Sequence, residues 1–467
     1  MKALFRVDAS LAIGIGHVMR CLTLAQVLKE NGVNVEFICR KHKGNLIDKI
    51  CANGFTVHEL ELLEEIKVDN ILTHSSWLGV TQQQDADDCI DILKAEKFDW
   101  FIVDHYALDE QWQKRLKPYY EKLMVIDDLA DRKHRCDILL DQTFGRQQED
   151  YLAWIPGGCE LLLGSKYALL RSEFSKWRSY SIGRRSSLEL KKLLINMGGI
   201  DIDNITEKIL DELKICNLPN DFHITVVMGG SAPYLENVRS KAITMPYKTE
   251  VKVDVDNMAE IMANSDIAIG AAGSTTWERC CLGLPTIQIV IAQNQLFLAE
   301  TLAQHNIVKL VKEIKETTFL LEKSSEWMKN VGSSALEICD GMGSYKVFNK
   351  MTDYKVILEE FGEVNLCNYV NLNEKDKILA LNMRNHPEIN RWMYNQDSIP
   401  KATHCEFIKS LENKIDRRYF LVKKKENIIG SINFSEINLY NSVEFGIYMN
   451  PFLQQKGAGK LLESAAS

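Results

Sequence analysis

Along the first half of this chain the apolar residues fall in short unbroken runs, and between the runs they recur every three or four positions. Ala3–Val7 is such a run. Val18, Cys21, Leu22, Ala25 and Leu28 then follow at helical spacing, and Asn31-Gly32 closes that stretch. Val33–Cys39 is the next run. Trp100–Asp104 and Leu123–Asp127 are two more, and each ends in aspartate. Continuous apolar runs predict strands buried on both faces, hence a parallel sheet. Polar residues at their ends predict groups delivered to its carboxyl edge.

The pattern then repeats. After the polar run Ser179–Ser187, Lys192–Met197 closes on Gly198-Gly199 and Phe222–Met228 closes on Gly229-Gly230. Ile267-Ala268-Ile269 leads into Gly270–Ser274, and Thr286–Ile291 is a further run. Two α/β lobes in one chain, each with glycine-rich loops after its strands, suggest a two-lobed nucleotide-sugar enzyme with its site in the interlobe cleft. Beyond Gly362 the runs change character. Phe420-Leu421-Val422 and Ile428–Phe434 flank the charged turn Lys423–Asn427, and Val443–Met449 follows, which predicts antiparallel sheet and a separate α+β domain.

A length of 467 residues accommodates two to three domains. The net charge of −8 implies no bulk attraction to nucleic acid or to an anionic membrane. No stretch approaches the roughly 20 apolar residues of a membrane span, and the start of the chain meets charge too early for a signal peptide. The twelve cysteines include no C-x-x-C pair, so they are expected to be reduced, with no metal cluster. These features together predict a cytoplasmic protein.

Candidate chemistry gathers at the loops. Gly14 and Gly16 lie where a strand turns into a helix, and His17 opens that helix. A dinucleotide fingerprint would need glycine at position 19 and an acid ending the second strand, where this chain has Met19 and Arg40-Lys41. A nicotinamide cofactor is therefore disfavoured. What remains is backbone that can approach a ligand beside a base whose imidazolium the helix dipole disfavours. A plain tight turn with a capping histidine has the same pattern. Gly270–Glu278 is more specific: small residues at Gly273 and Ser274 free backbone N–H groups for a diphosphate, and Glu278, one helical turn on, faces ribose hydroxyls. A serine cap and a surface glutamate is the alternative. Gln293 and Asn294 follow a strand and suit sugar hydroxyls and acetamido groups, or simply cap a polar loop. Asp104 and Asp127-Asp128 either line the cleft or cap helices. In the last domain Gln454, Gly457 and Gly459 open a helix after a strand, which suits a pyrophosphate.

With these residues in view, the first 350 or so resemble the UDP-2,4-diacetamido-2,4,6-trideoxy-β-L-altropyranose hydrolases of pseudaminic acid biosynthesis. The resemblance runs through Arg6–Ser10, Ile13–Leu22, Val103–Tyr106, Ile126–Ala130, Asp137–Gln142, Gly164–Phe174 and Gly273–Glu278. It implies a glycosyltransferase-B-type pair of Rossmann-like lobes, at 1–160 and 161–355. It also implies hydrolysis of a UDP-sugar at its anomeric carbon, with His17 as general base and no cofactor. Arg171 is then expected to contact substrate near the lobe junction. Residues 363–467 resemble the acetyl-CoA-dependent GNAT N-acetyltransferases, through Asn385–Ile389, Trp392-Met393 and Gln454–Gly459. Acetyl-CoA is the implied co-substrate, and the 4-amino group of a UDP-amino sugar the implied acceptor. Such domains usually run well past this helix, so the domain is expected to be incomplete. Three other readings stay open: a UDP-sugar glycosyltransferase, a hydrolase for another nonulosonic acid, and a nucleotide-sugar-binding scaffold that docks a pathway enzyme.

Overall fold

The computed structural model describes residues 1–62, 72–185, 189–292, 295–322, 325–437, 443–453 and 456–467. Two compact units divide the chain, Lys2–Ser344 and Tyr345–Ser467. Among the described residues no helix is long and apolar enough to cross a membrane.

The larger unit holds two parallel sheets. The first comprises β1 (Lys2–Val7), β2 (Asn34–Arg40), β3 (Thr56–Leu60), β4 (Phe98–Asp104), β5 (Tyr120–Ile126), β6 (Ile138–Asp141) and β7 (Glu160–Leu163), in the order β3-β2-β1-β4-β5-β6-β7. The second comprises β8 (Lys192–Asn196), β9 (His223–Met228), β10 (Lys248–Val253), β11 (Ile267–Ala271), β12 (Thr286–Ile289) and β13 (Lys309–Val311), in the order β10-β9-β8-β11-β12-β13. The central strands are the apolar runs of the sequence, and β11 is buried at every position. Burial on both faces is what helices covering a parallel sheet impose. In each sheet the strand order reverses once, between β1 and β4 and between β8 and β11. These are the switch points outside which α/β folds hold ligands.

The smaller unit is a five-stranded antiparallel meander: β14 (Tyr354–Leu358), β15 (Gly362–Asn368), β16 (Arg418–Lys424), β17 (Asn427–Ser435) and β18 (Glu444–Met449). One face packs Val364, Phe420, Val422 and Ile432 against Leu461 and Leu462 of the Ala458–Ala466 helix. The other buries Leu421 with Ala380, Met383 and Ile408 of two further helices.

Two expected boundaries move. The first lobe does not end at 160, because β7 pairs in parallel with β6, Ile138 opposite Glu160 through Asp141 opposite Leu163. The last unit does not begin at 363, because β14 pairs antiparallel with β15, Tyr354 opposite Leu366 through Leu358 opposite Gly362. Gly362 therefore opens the second strand of a hairpin.

Candidate active site

Both switch points of the larger unit open into one cleft of about 390 Å³. From the first lobe Gly16 and Arg20 line it, and from the second Asn196, Gly198, Ser274 and Glu278.

The first-lobe wall is built by the turn after β1. Ser10 Oγ accepts from the backbone N–H of Ala12 and Ile13, and the Gly14 N–H donates to the Ser10 carbonyl at 2.8 Å. Gly14 sits at φ +79°, a conformation that favours glycine. The helix Gly16–Glu30 starts directly after it, so His17 enters within the first turn. The histidine does not cap this helix. Its Nδ1 lies 2.6 Å from Asp104 Oδ1, at the end of β4, the strand beside β1. Nε2 has no protein partner among the described residues. The carboxylate keeps the proton on Nδ1 and leaves the Nε2 lone pair free to accept one.

Asp104 is itself held in place. Arg20, one helical turn after His17, donates to it from Nε at 2.6 Å and from Nη2 at 2.7 Å. Burial pushes the Asp104 pKa up, but the charges of Arg20 and His17 outweigh burial and hold this carboxyl well below the usual range. Arg20 also reaches Asp128 Oδ2 at 2.5 Å, which the Tyr106 hydroxyl contacts at 2.7 Å. The Tyr106 ring packs edge-on to His17, 4.6 Å between centroids, and stacks on Trp77. The imidazole is thus fixed on two sides, by a charged hydrogen bond and by aromatic edges.

The second-lobe wall comes from the loops after β8, β9 and β11. Gly198 takes φ +92°, and the loops after β8 and β9 touch through the Gly229 N–H on the Gly199 carbonyl at 3.1 Å. A Cβ at Gly229 would lie 2.3 Å from that carbonyl oxygen. Ser274 precedes the helix Thr275–Cys281 and is exposed, and its hydroxyl makes no capping bond. Glu278 is half-buried, with Arg171 Nη2 3.9 Å from its Oε1. Burial pushes its carboxyl up to about 7, against the pull of Arg171 and Arg279. Arg171 also pairs with Glu173 at 2.9 Å.

Of the residues singled out in the sequence, Gly16, Arg171, Ser274 and Glu278 line this one cleft, and His17 adjoins it through Arg20. Gly14 and Gly273 shape the two loops but are not among the lining residues. Gln293, Asn294 and Gln454 lie outside the described residues. Gly457, at φ +80°, precedes the Ala458–Ala466 helix that contains Gly459, in the smaller unit. Asp104 and Asp128 do not cap helices; they bind His17 and Arg20. Asp127 is structural, bonded by Tyr151, the Ala130 N–H and Arg132. The Arg6–Ser10 segment is also mostly structural. Arg6 and Asp8 are buried with Arg40 and Asp85 in a charge network, with Arg6 2.7 Å from Asp8 and 2.6 Å from Asp85. Tyr106 was expected only as part of the strand-end run Asp104-His105-Tyr106 that could line the cleft; the parts played by Arg20 and Trp77 were not foreseen. Arg20, three residues after His17, gave no sign of its role, since it acts through an aspartate 84 residues away.

Two parallel Rossmann-like sheets with a shared cleft at their switch points define a two-lobed protein of the glycosyltransferase-B type. Residues 193–334 match the model of the glycosyltransferase family 28 C-terminal domain. The structure of Acinetobacter baumannii MurG superposes with a TM-score of 0.56 over 75% of this chain and 99% of that one, at 13% identity, a likeness of fold. The UDP-2,4-diacetamido-2,4,6-trideoxy-beta-L-altropyranose hydrolase of Campylobacter jejuni is 30% identical over 305 residues, 65% of this chain and 97% of that protein. The chain belongs to the family of that hydrolase. Acetyltransferase PseH of Campylobacter jejuni is 39% identical over 99 residues, 21% of this chain and 60% of that protein's length.

Proposed function

We propose that the larger unit hydrolyses UDP-2,4-diacetamido-2,4,6-trideoxy-β-L-altropyranose to UDP and the free sugar, in pseudaminic acid biosynthesis in the cytoplasm. The observation that carries this reading is the His17–Asp104 pair, set at the first switch point, beside a cleft whose other wall is the Gly-rich loop at the second. His17 Nε2 takes a proton from water as the water oxygen bonds to the anomeric carbon. The bond from that carbon to the diphosphate oxygen breaks, and its electron pair leaves with UDP. Asp104 stabilises the imidazolium formed, and positioned base catalysis of this kind contributes about 10²–10⁴-fold. The departing diphosphate needs no proton where the backbone N–H groups at Gly273 and Ser274 receive its charge. Arg171 and Glu278 sit where the nucleoside would lie, Glu278 as acceptor for ribose hydroxyls. Gly14 and Gly16 bring backbone close to the substrate.

The smaller unit, in the same reading, takes acetyl-CoA as co-substrate for N-acetylation of the UDP-4-amino-sugar precursor. Gln454, Gly457 and Gly459 would hold its pyrophosphate. Among the described residues no group of His, Cys, Asp and Glu side chains is arranged to hold a metal ion, and no step above requires one.

The test is UDP release from that substrate with no acceptor sugar present. Release by the wild type, none by His17→Ala and retained UDP binding by the variant are expected. No release by the wild type, with release on adding an acceptor sugar, would make the protein a glycosyltransferase. Release only from an isomeric UDP-sugar would assign it to another nonulosonic acid.

A further inference from the structure

Arg279, next to Glu278, has no part in the chemistry described so far. Its side chain is 1% exposed and lies beneath the loop at the end of β11. Nη2 donates to the Ala271 carbonyl at 2.8 Å and to Thr276 Oγ1 at 3.2 Å, and Nη1 donates to Thr275 Oγ1 at 3.0 Å. Gly270 makes room for this guanidinium: a Cβ there would lie 2.5 Å from Nη1 and displace it.

Every one of these partners is neutral, and Nε has none. The other fully buried arginines differ. Arg6 meets Asp85 at 2.6 Å and Arg40 meets it at 2.9 Å. For Arg279 the neighbouring carboxylate is Glu278, which is outside ion-pairing distance and whose carboxyl burial pushes up to about 7, so that part of it is protonated at neutral pH. Burial draws the Arg279 guanidinium down to about 10, so it stays a cation. A buried cation without an anion is costly in the free protein. Such a charge is retained where something that binds brings the anion with it.

We propose that Arg279 is an electrostatic positioning residue: its buried charge, fixed behind the Gly270–Ser274 loop, tunes that loop for a nucleoside diphosphate. It does not touch the ligand. It holds the Ala271 peptide by its carbonyl and sets a positive charge behind the loop that carries Ser274 to the cleft, where it favours the diphosphate at binding and more so as the sugar leaves. This inference rests on the reading of the cleft as a UDP-sugar site.

The experiment is a calorimetric titration of the full chain with UDP and with uridine, for the wild type, Arg279→Gln and Arg279→Lys. The expected result is a loss of UDP affinity on the order of 10- to 100-fold in Arg279→Gln, with uridine affinity changed less than about threefold. Arg279→Lys, which keeps the charge, should hold the UDP-to-uridine ratio within about threefold of wild type. Equal loss of both ligands in Arg279→Gln would make the residue a loop scaffold and overturn the proposal, as would no loss of either. Should Arg279→Gln not fold, Arg279→Lys decides, and a collapse of its ratio overturns the proposal. A wild type that bound UDP no better than uridine would overturn the proposal together with the reading beneath it.

Discussion

Replacing Asp104 with asparagine isolates what the buried carboxylate does for His17. The side chain keeps its shape, but an amide in place of Oδ1 no longer accepts reliably from Nδ1–H, and the negative charge is gone. Two unit charges about 4 Å apart in surroundings of effective dielectric constant about 20 attract by about 4 kcal/mol. That is the stabilisation Asp104 gives the imidazolium formed as water is deprotonated, from a contact of 2.6 Å. With a factor of ten for each 1.4 kcal/mol or so, kcat falls about 10³-fold. Arg20 pushes the loss further. In the variant its guanidinium, with Nη2 3.3 Å from His17 Nδ1, keeps only Asp128 as a carboxylate partner and repels the imidazolium. A factor of about 10³ is therefore the lower edge. The assay is UDP release at saturating substrate, with UDP affinity and melting temperature as controls, since removing one partner of a buried ion pair also destabilises. A folded variant with wild-type UDP affinity and kcat within about tenfold of wild type would refute the coupling of Asp104 to the base.

Glu278→Gln should change how stability depends on pH. The Glu278 carboxyl titrates near 7 in the folded protein against an ordinary 4.5, so the folded state holds this proton more tightly than the unfolded one. Its contribution is full below the ordinary value and is lost as pH rises through 7, up to about 3 kcal/mol in all. Glu278→Gln should gain on the wild type by about that amount between pH 5 and 8 in thermal melts; parallel curves would show that burial does not raise this carboxyl. Asp85→Ala strips Arg6 and Arg40 of a shared buried carboxylate and should cost about 3–5 kcal/mol, read as a lowered melting temperature. A loss below about 1 kcal/mol would mean that Asp8, paired with Arg6, and Asp88, 2.8 Å from Arg40, compensate.

The central strands of both parallel sheets were legible because burial on two faces leaves an apolar run with nothing else in it. The edges were not. β10 carries Lys248, Glu250 and Lys252 and is half-exposed along most of its length, as an edge strand that resists pairing with another chain should be. β6 and β7, four residues each, are too short to stand out from a loop, and the lobe boundary slid accordingly. The polar run from Ser179, which marks the start of the second series, is not a loop. It belongs largely to the helix Ser172–Arg184. Its polarity comes from arginines spent on backbone: Arg185, just past the end of the helix, donates to the carbonyls of Met262, Ser265 and Leu282.

The site divides along the same line between local and distant information. His17, Ser274 and Glu278 were legible because a glycine-rich loop, a strand before it and a helix after it are all contiguous in sequence. Asp104 was visible only as an acid at the end of a strand, with no sign of what it would meet. What joins it to His17 is strand order: β4 lies beside β1, so residues 87 apart share one carboxyl edge. No spacing rule contains that. Arg279 is the sharper case. In sequence it is a charged residue after a charged residue near the end of a short helix, the commonest of surface patterns. The fold turns Glu278 toward the cleft and Arg279 under the loop, where Gly270 has given up its side chain to make room. Two adjacent charges thereby acquire opposite environments, one held partly protonated by burial and the other held as a cation with neutral partners only. Both conditions are costly in the free protein, and a ligand offering hydroxyls to the first and negative charge to the second relieves them together.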